Sequence, residues 1–161
     1  MKNLILIRHA KSSWDAPLQD FDRPLMQRGI NDAQQVATFC LPYVPQQFQI
    51  FSSEAKRAKE TAMIFAKKFS YPIENIIFKK ELYTFDEVKL ETIIKSFPNS
   101  YNNVILFGHN EAITNFVNKF GHIFIDNVST SGFVSLQFDA EDWRSISNGK
   151  TIKVIFPKDL N

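Results

Sequence analysis

Four side chains in this sequence stand out for the chemistry they could do: Arg8 and His9, adjacent at the end of one apolar run, Arg57, and His109 at the end of another. Guanidinium groups match phosphate oxygens bidentately and stay charged at every relevant pH. A neutral imidazole offers a nitrogen that can attack phosphorus. Taken singly, each residue has an ordinary explanation, because a lone strand-end histidine is usually just hydrogen-bonded and a lone arginine is usually a surface charge. Their recurrence at strand ends is what points to one shared site for a phosphate-like anion.

The elements that must position them follow from the apolar pattern. Leu4-Ile5-Leu6-Ile7 reads as a strand buried on both faces, as in a parallel sheet covered by helices. In open sheets of that kind, ligands bind beyond the carboxyl ends of the strands, where Arg8 and His9 fall. Val104-Ile105-Leu106-Phe107 repeats the pattern and ends in Gly108-His109-Asn110. Ile113, Phe116, Val117 and Phe120 then fall at helical spacing, with Asn110 as the expected N-cap. Gln49 to Ser53 reads as another strand. Ala55, Ala58, Ala62, Phe65 and Phe69 form the stripe of a helix over 54–69, with Arg57 off the stripe on a face shared with Glu54 and Thr61.

Further helices are expected from Leu25 to Leu41, stopped by Pro42, and around Leu90, Ile93, Ile94 and Phe97, closed by Pro98. Strands are expected at 76–78, 133–138 and 152–156. Lys11 to Pro24 reads as loop, and Asp139 to Gly149 as a turn region carrying Trp143. This order predicts an α/β fold, a three-layer sandwich with a mostly parallel central sheet flanked by helices.

At 161 residues the chain is expected to form a single domain over residues 1–161. Its hydrophobic fraction of 44% and charged fraction of 22% argue against disorder. A net charge of +2 is too small an excess to argue for nucleic acid, and no apolar run approaches membrane-spanning length, so neither nucleic acid nor membrane is expected as a partner. One cysteine, Cys40, excludes an intramolecular disulfide and lies on an apolar helical face, where a buried small hydrophobe is the natural reading. A cytoplasmic location is the default expectation. No third ligand accompanies either histidine at metal-binding spacing, two arginines repel a cation, and no P-loop or dinucleotide fingerprint occurs. No metal or other cofactor is therefore expected.

Leu6-Ile7-Arg8-His9-Ala10 resembles the Arg-His-Gly signature of the histidine phosphatase superfamily, the group that includes phosphoglycerate mutases. Within it the chain is most similar to the short SixA-type phosphohistidine phosphatases. Arg23-Pro24-Leu25 with Arg28-Gly29, Ser52-Ser53-Glu54-Ala55-Lys56-Arg57-Ala58 with Thr61-Ala62, and Gly108-His109-Asn110 continue the match in the family's order, from residue 4 to about 120. The resemblance implies a phosphatase in which His9 takes up the phosphoryl group and Arg8, Arg57 and His109 hold its oxygens, with Ser12 or Ser13 as a further hydroxyl contact. It implies a phosphorylated protein, or a small phosphate ester, as partner.

Three departures from the family pattern bear on function. Ala10 stands where Gly is usual, Met26 replaces the usual capping Thr, and the Glu or Asp that many members carry after a Leu is here Tyr83, after Leu82. Glu81 is the candidate acid nearest that position, with Asp86 and Glu87 beyond it. An alkoxide leaves poorly without a proton donor, which is commonly worth about 10² to 10⁴ in rate. The phosphorus–nitrogen bond of phosphohistidine is weaker, so a missing acid and the SixA resemblance point to the same substrate. Phosphate-ester hydrolysis at the same site, and a non-catalytic phosphate-binding domain, are the alternatives. A mutase, which must exclude water, suits a short open chain less well.

Overall fold

The structure, a computed structural model, describes residues 1–160. Six strands form one sheet in the order β3-β2-β4-β1-β5-β6. They are β1 (Lys2–Arg8), β2 (Gln49–Ser53), β3 (Ile77–Lys79), β4 (Asn103–Gly108), β5 (Phe133–Phe138) and β6 (Lys150–Ile155). The pairs β1–β4, β2–β4 and β2–β3 are parallel, whereas β5 runs antiparallel to β1 and β6 antiparallel to β5. The expected α/β sandwich is therefore present, with a mixed, mostly parallel sheet.

Alternation along each strand builds two separate cores. Leu4 and Leu6 of β1 face one side with Val104, Leu106, Val134 and Leu136, under α3 (Glu87–Lys95) and α4 (Ala112–Phe120). Ile5 and Ile7 face the other side with Ile105, Phe107 and Phe133, under α1 (Gln27–Phe39) and α2 (Lys56–Lys68). The helices deliver buried apolar stripes: the expected Ala58, Ala62 and Phe65 from α2, joined by Ala66, and Ile113, Phe116, Val117 and Phe120 from α4. Because a central strand buries both faces, its sequence is continuously apolar rather than alternating.

The register fixes where chemistry can occur. Arg8 pairs opposite Gly108 across β1 and β4, and Ser52 opposite Phe107 across β2 and β4, so the three carboxyl ends finish level with one another. Helices on one face follow β1 and β2, and helices on the opposite face flank β4, which leaves a crevice at this edge.

The loop after His9 is held against the entry to α1. Met26 N donates to the Lys11 carbonyl (3.0 Å), Ser13 N to the Pro24 carbonyl (2.8 Å), and Ser12 bridges to Leu25. Gly29 allows this approach, because a Cβ there would stand 2.1 Å from the Lys11 carbonyl oxygen. Met26 caps α1 with no side-chain hydrogen bond, as its apolar side chain requires. Cys40 is fully buried, and burial raises its thiol to about 12. Among the described residues no helix is long and apolar enough to cross a membrane.

Candidate active site

His9 is the first residue beyond β1, 8% exposed, and its own neighbour orients the ring: Nδ1 lies 2.7 Å from the Ala10 carbonyl oxygen. A carbonyl only accepts, so Nδ1 carries the hydrogen and Nε2 is left with its lone pair. Arg57 Nε donates to that same Nε2 at 3.3 Å, in agreement with the assignment. Ala10 N donates to Thr61 Oγ1 (2.9 Å), and Thr61 Oγ1 donates to the Arg57 carbonyl (2.7 Å), which ties the His9 turn to the first turns of α2. Ala10 is not among the residues with positive φ, so the place usually held by Gly tolerates its methyl group.

Arg57, expected off the apolar stripe, is nonetheless buried at 2% exposure because it points at the strand ends rather than at solvent. Arg8 donates through Nη1 to the Val128 carbonyl (2.9 Å), while its Nε is buried without a protein partner. Burial lowers the Arg8 guanidinium from its ordinary value, with Glu111 opposing and Arg57 adding to the shift.

His109 is 1% exposed, and its ring centroid lies 5.2 Å from that of His9. Its Nε2 is 2.8 Å from Ser53 Oγ, which already accepts from Ala55 N (3.1 Å). Among the described residues the Ser53 hydroxyl has no other acceptor within reach, so its hydrogen goes to His109 Nε2. The proton of the His109 ring then sits on Nδ1, a buried donor with no protein partner beside the His9 ring. A buried unpaired N–H is costly in an apolar setting, and an oxyanion is what would satisfy it.

Both imidazoles are held neutral. Burial, then the charges of Arg57, Arg8 and Arg23, bring His9 down to about 3 against the partial opposition of its bond to Ala10. Burial, His9 and Arg57 bring His109 to about 2. The crevice thus combines two guanidinium groups with two neutral rings, a setting of high positive potential for a tetrahedral anion.

Asp20 and Tyr83 stand beside these four residues; the sequence marks Tyr83 only as the residue in place of the usual acid, and Asp20 not at all. Asp20, in a 3-10 turn at Asp20–Asp22, accepts from Arg57 Nη2 at Oδ2 (2.9 Å) and from Arg23 Nε (3.3 Å) and Nη2 (3.1 Å) at Oδ1. Its backbone carbonyl takes Arg57 Nη1 at 2.6 Å. Burial acts to raise its carboxyl, but hydrogen bonds from Tyr83, Arg57 and Arg23 prevail and hold it at about 2. Tyr83 donates its hydroxyl to Asp20 Oδ2 at 2.5 Å. The spacing of Asp20 and Arg23, an i, i+3 ion pair, was the one local sign of this cluster.

The remaining sequence candidates lie as follows. Ser12 is buried, and its Oγ accepts from Arg23 Nη1 at 2.6 Å. Glu81 is exposed in the turn Lys80–Leu82 and lines a surface cleft with Tyr83, Thr84 and Val88. Asp86 caps α3 by accepting from Val88 N (2.9 Å). Asn110 does cap α4, but from one residue outside the formal cap Glu111, its Oδ1 accepting from Thr114 N (3.1 Å). Among the described residues no three His, Cys, Asp or Glu side chains gather where they could hold a metal ion.

Comparison with known proteins sets this geometry in a family. Residues 4–102 match the family model of the histidine phosphatase superfamily, branch 1. A solved structure of the protein histidine phosphatase SixA complexed with tungstate superposes with a TM-score of 0.83, covering 99% of each chain at 19% identity. A chain from Agrobacterium tumefaciens, proposed to be the phosphohistidine phosphatase SixA, does so at 0.77 with 25% identity, over 96% of this chain and 97% of that one. An uncharacterized chloroplastic protein of Arabidopsis thaliana is 49% identical over 63 residues, which span 37% of this chain but only 28% of that relative. With more than half its length matched to the family model, this chain belongs to the histidine phosphatase superfamily.

Proposed function

We propose that the protein removes a phosphoryl group from phosphohistidine on another protein, through a covalent intermediate on His9. The observation that carries this reading is the state of the His9 ring: Nδ1 is committed to Ala10, and Nε2 keeps a lone pair that only the long bond from Arg57 Nε engages, a donor that an incoming phosphoryl oxygen can take over. Nε2 attacks phosphorus, the bond to the leaving nitrogen breaks, and the phosphoryl group passes to His9. Water then attacks phosphorus and frees the ring. Splitting the reaction replaces one hard step with two easier ones.

Arg8, Arg57 and His109 Nδ1 hold the phosphoryl oxygens, where fixed donors in a dry site stabilise the charge that spreads over them. Ser12 acts through Arg23, to which its hydroxyl is bonded. No metal takes part in this scheme. The choice of phosphohistidine over an ester rests on the carboxylates at hand. Asp20 is ionised between two arginines and has no proton to give, and Glu81 is exposed on the outer turn. The SixA structure that this fold resembles was solved with tungstate, an oxyanion, which supports anion binding by this fold. We take residues 1–161 as one functional unit in a reducing, cytoplasm-like compartment.

The test is phosphate release by wild type and His9→Ala, with chelator present, from a phosphohistidine protein and from a panel of phosphate esters. The expected result is release from phosphohistidine that His9→Ala abolishes, with weak ester turnover. Strong ester turnover would move the acid to Glu81 and the substrate to a small phosphate ester. Phosphate binding without any phosphorylation of His9, across several donors, would make this a binding domain.

A further inference from the structure

Tyr83 sits at the solvent side of the site. It is half-exposed, its ring meets the His109 ring edge-on with centroids 5.2 Å apart, and the Arg57 guanidinium carbon lies 5.8 Å from its centroid. Phe21 and Phe85 pack against it at 5.2 and 5.6 Å, which fixes the ring. Tyr83 is less deeply buried than His9, Arg57 and His109, which puts it on the open side of the crevice, where a leaving group can meet it.

The hydrogen count around Asp20 determines what Tyr83 can offer. Oδ1 takes two hydrogens from Arg23, and Oδ2 takes one from Arg57 and one from Tyr83. The carboxylate is therefore saturated, and it cannot accept from a substrate directly. The single hydroxyl hydrogen of Tyr83 is committed to it, and the lone pairs of the phenol oxygen remain. A hydroxyl that donates to an anion is itself a stronger acceptor. Burial and the bond to Asp20 raise Tyr83 from its ordinary value, while Asp20 is held low, so the proton stays on the phenol.

We propose that Tyr83, oriented by Asp20, is a specificity residue that accepts a hydrogen bond from the leaving group and so selects a nitrogen leaving group bearing N–H, an imidazole, over an alkoxide. This rests on the phosphohistidine reading above. In the transfer step the phosphorylated imidazole enters protonated on the nitrogen that is not bonded to phosphorus. The His9 Nε2 lone pair forms the new bond to phosphorus, and the electron pair of the old phosphorus–nitrogen bond returns to the departing nitrogen. The ring leaves neutral, and its N–H stays on Tyr83 throughout. An alkoxide instead requires a proton, and the only hydrogen on Tyr83 already belongs to the bond with Asp20.

The experiment compares wild type and Tyr83→Phe on a phosphohistidine protein and on p-nitrophenyl phosphate, whose leaving group needs neither a proton nor an acceptor. Tungstate binding and thermal midpoint report on the integrity of the site. Tyr83→Phe is expected to lower kcat/KM on phosphohistidine about tenfold more than on the aryl ester. Asp20→Ala, which removes the acceptor of the phenol hydrogen, is expected to shift the ratio of alkyl ester to phosphohistidine turnover toward the ester. Equal losses on both substrates in Tyr83→Phe, with wild type active, would reduce Tyr83 to a packing residue and overturn the proposal alone. Wild type that fails to release phosphate from phosphohistidine in a His9-dependent way would overturn the functional reading as well.

Discussion

Arg57 Nε and His9 Nε2 stand 3.3 Å apart, with the rest of the Arg57 guanidinium anchored on Asp20 through the backbone carbonyl and the carboxylate. One arginine thus reads both the base and the loop across from it. Substituting Arg57→Ala removes a fixed cation from the proposed transition state and is expected to cost about 10² to 10³ in kcat on phosphohistidine. Arg57→Lys is expected to recover little, because an ammonium cannot span His9 and Asp20 together. Steady-state kinetics of the two variants checks this, and full rescue by Lys would contradict it.

Acid should weaken the fold through the two histidines. Above pH about 6.5 neither the folded nor the unfolded chain protonates them, and the full stability is present. Below that, the unfolded chain takes up protons while the folded chain refuses them until His9 titrates near 3, so stability falls with pH across that window. The slope approaches about 1.4 kcal/mol per pH unit for each histidine. Asp20 adds a loss of the same sign as pH falls below its ordinary range toward about 2. Urea midpoints measured from pH 7 to 5 should fall, and saturating tungstate should flatten the fall, since an anion favours the protonated rings. A flat profile without anion would contradict the burial of both rings.

Ser53 sets the proton on His109. Ser53→Ala removes the donor to Nε2, frees the ring to exchange tautomers, and is expected to weaken tungstate binding about tenfold. Nitrogen NMR of labelled histidine provides the readout that a merely structural role would not move: wild type should show the Nδ1–H form of His109, and the variant a mixture. Ser53→Thr, which keeps the hydroxyl, should restore the single form.

The approach of the His9 loop to α1 depends on Gly29. A Cβ there meets backbone oxygen rather than a movable side chain, so Gly29→Ala is expected to destabilise by about 1–3 kcal/mol and to lower kcat by shifting Lys11. Thermal denaturation and kinetics of this variant test both effects. An unchanged midpoint would mean that the loop relaxes freely.

Much of this was legible in the chain itself. The aliphatic runs of β1 and β4 announce central strands, and the residues just past each run, His9 and His109, are where such sheets place ligands. The helical stripes of α2 and α4 were equally clear. The order of the strands was not, because hydrophobic period says which face is buried but not which strand is adjacent. The antiparallel β5 and β6 read the same as parallel strands for that reason. The pairing of Asp20 with Tyr83 stayed hidden for another: both lie in irregular turns with no period to betray their contact, and 63 positions separate them along the chain. The burial of Arg57 was likewise invisible, since an arginine off an apolar stripe reads as solvated until its counter-charge is located.

The hydrogen bond from His9 Nδ1 to the carbonyl of Ala10 joins neighbours in sequence, whereas the Tyr83–Asp20 pair joins distant segments. The tautomer of the proposed nucleophile is therefore set first by a neighbouring backbone carbonyl, with Arg57 on the other nitrogen in agreement. What surrounds the departing group in the proposed reaction is set by two loops, of which the Asp20 loop also anchors Arg57 and the Tyr83 turn does not. Substrate preference in this scaffold can drift, by substitution in that turn, while the reactive nitrogen stays as it is.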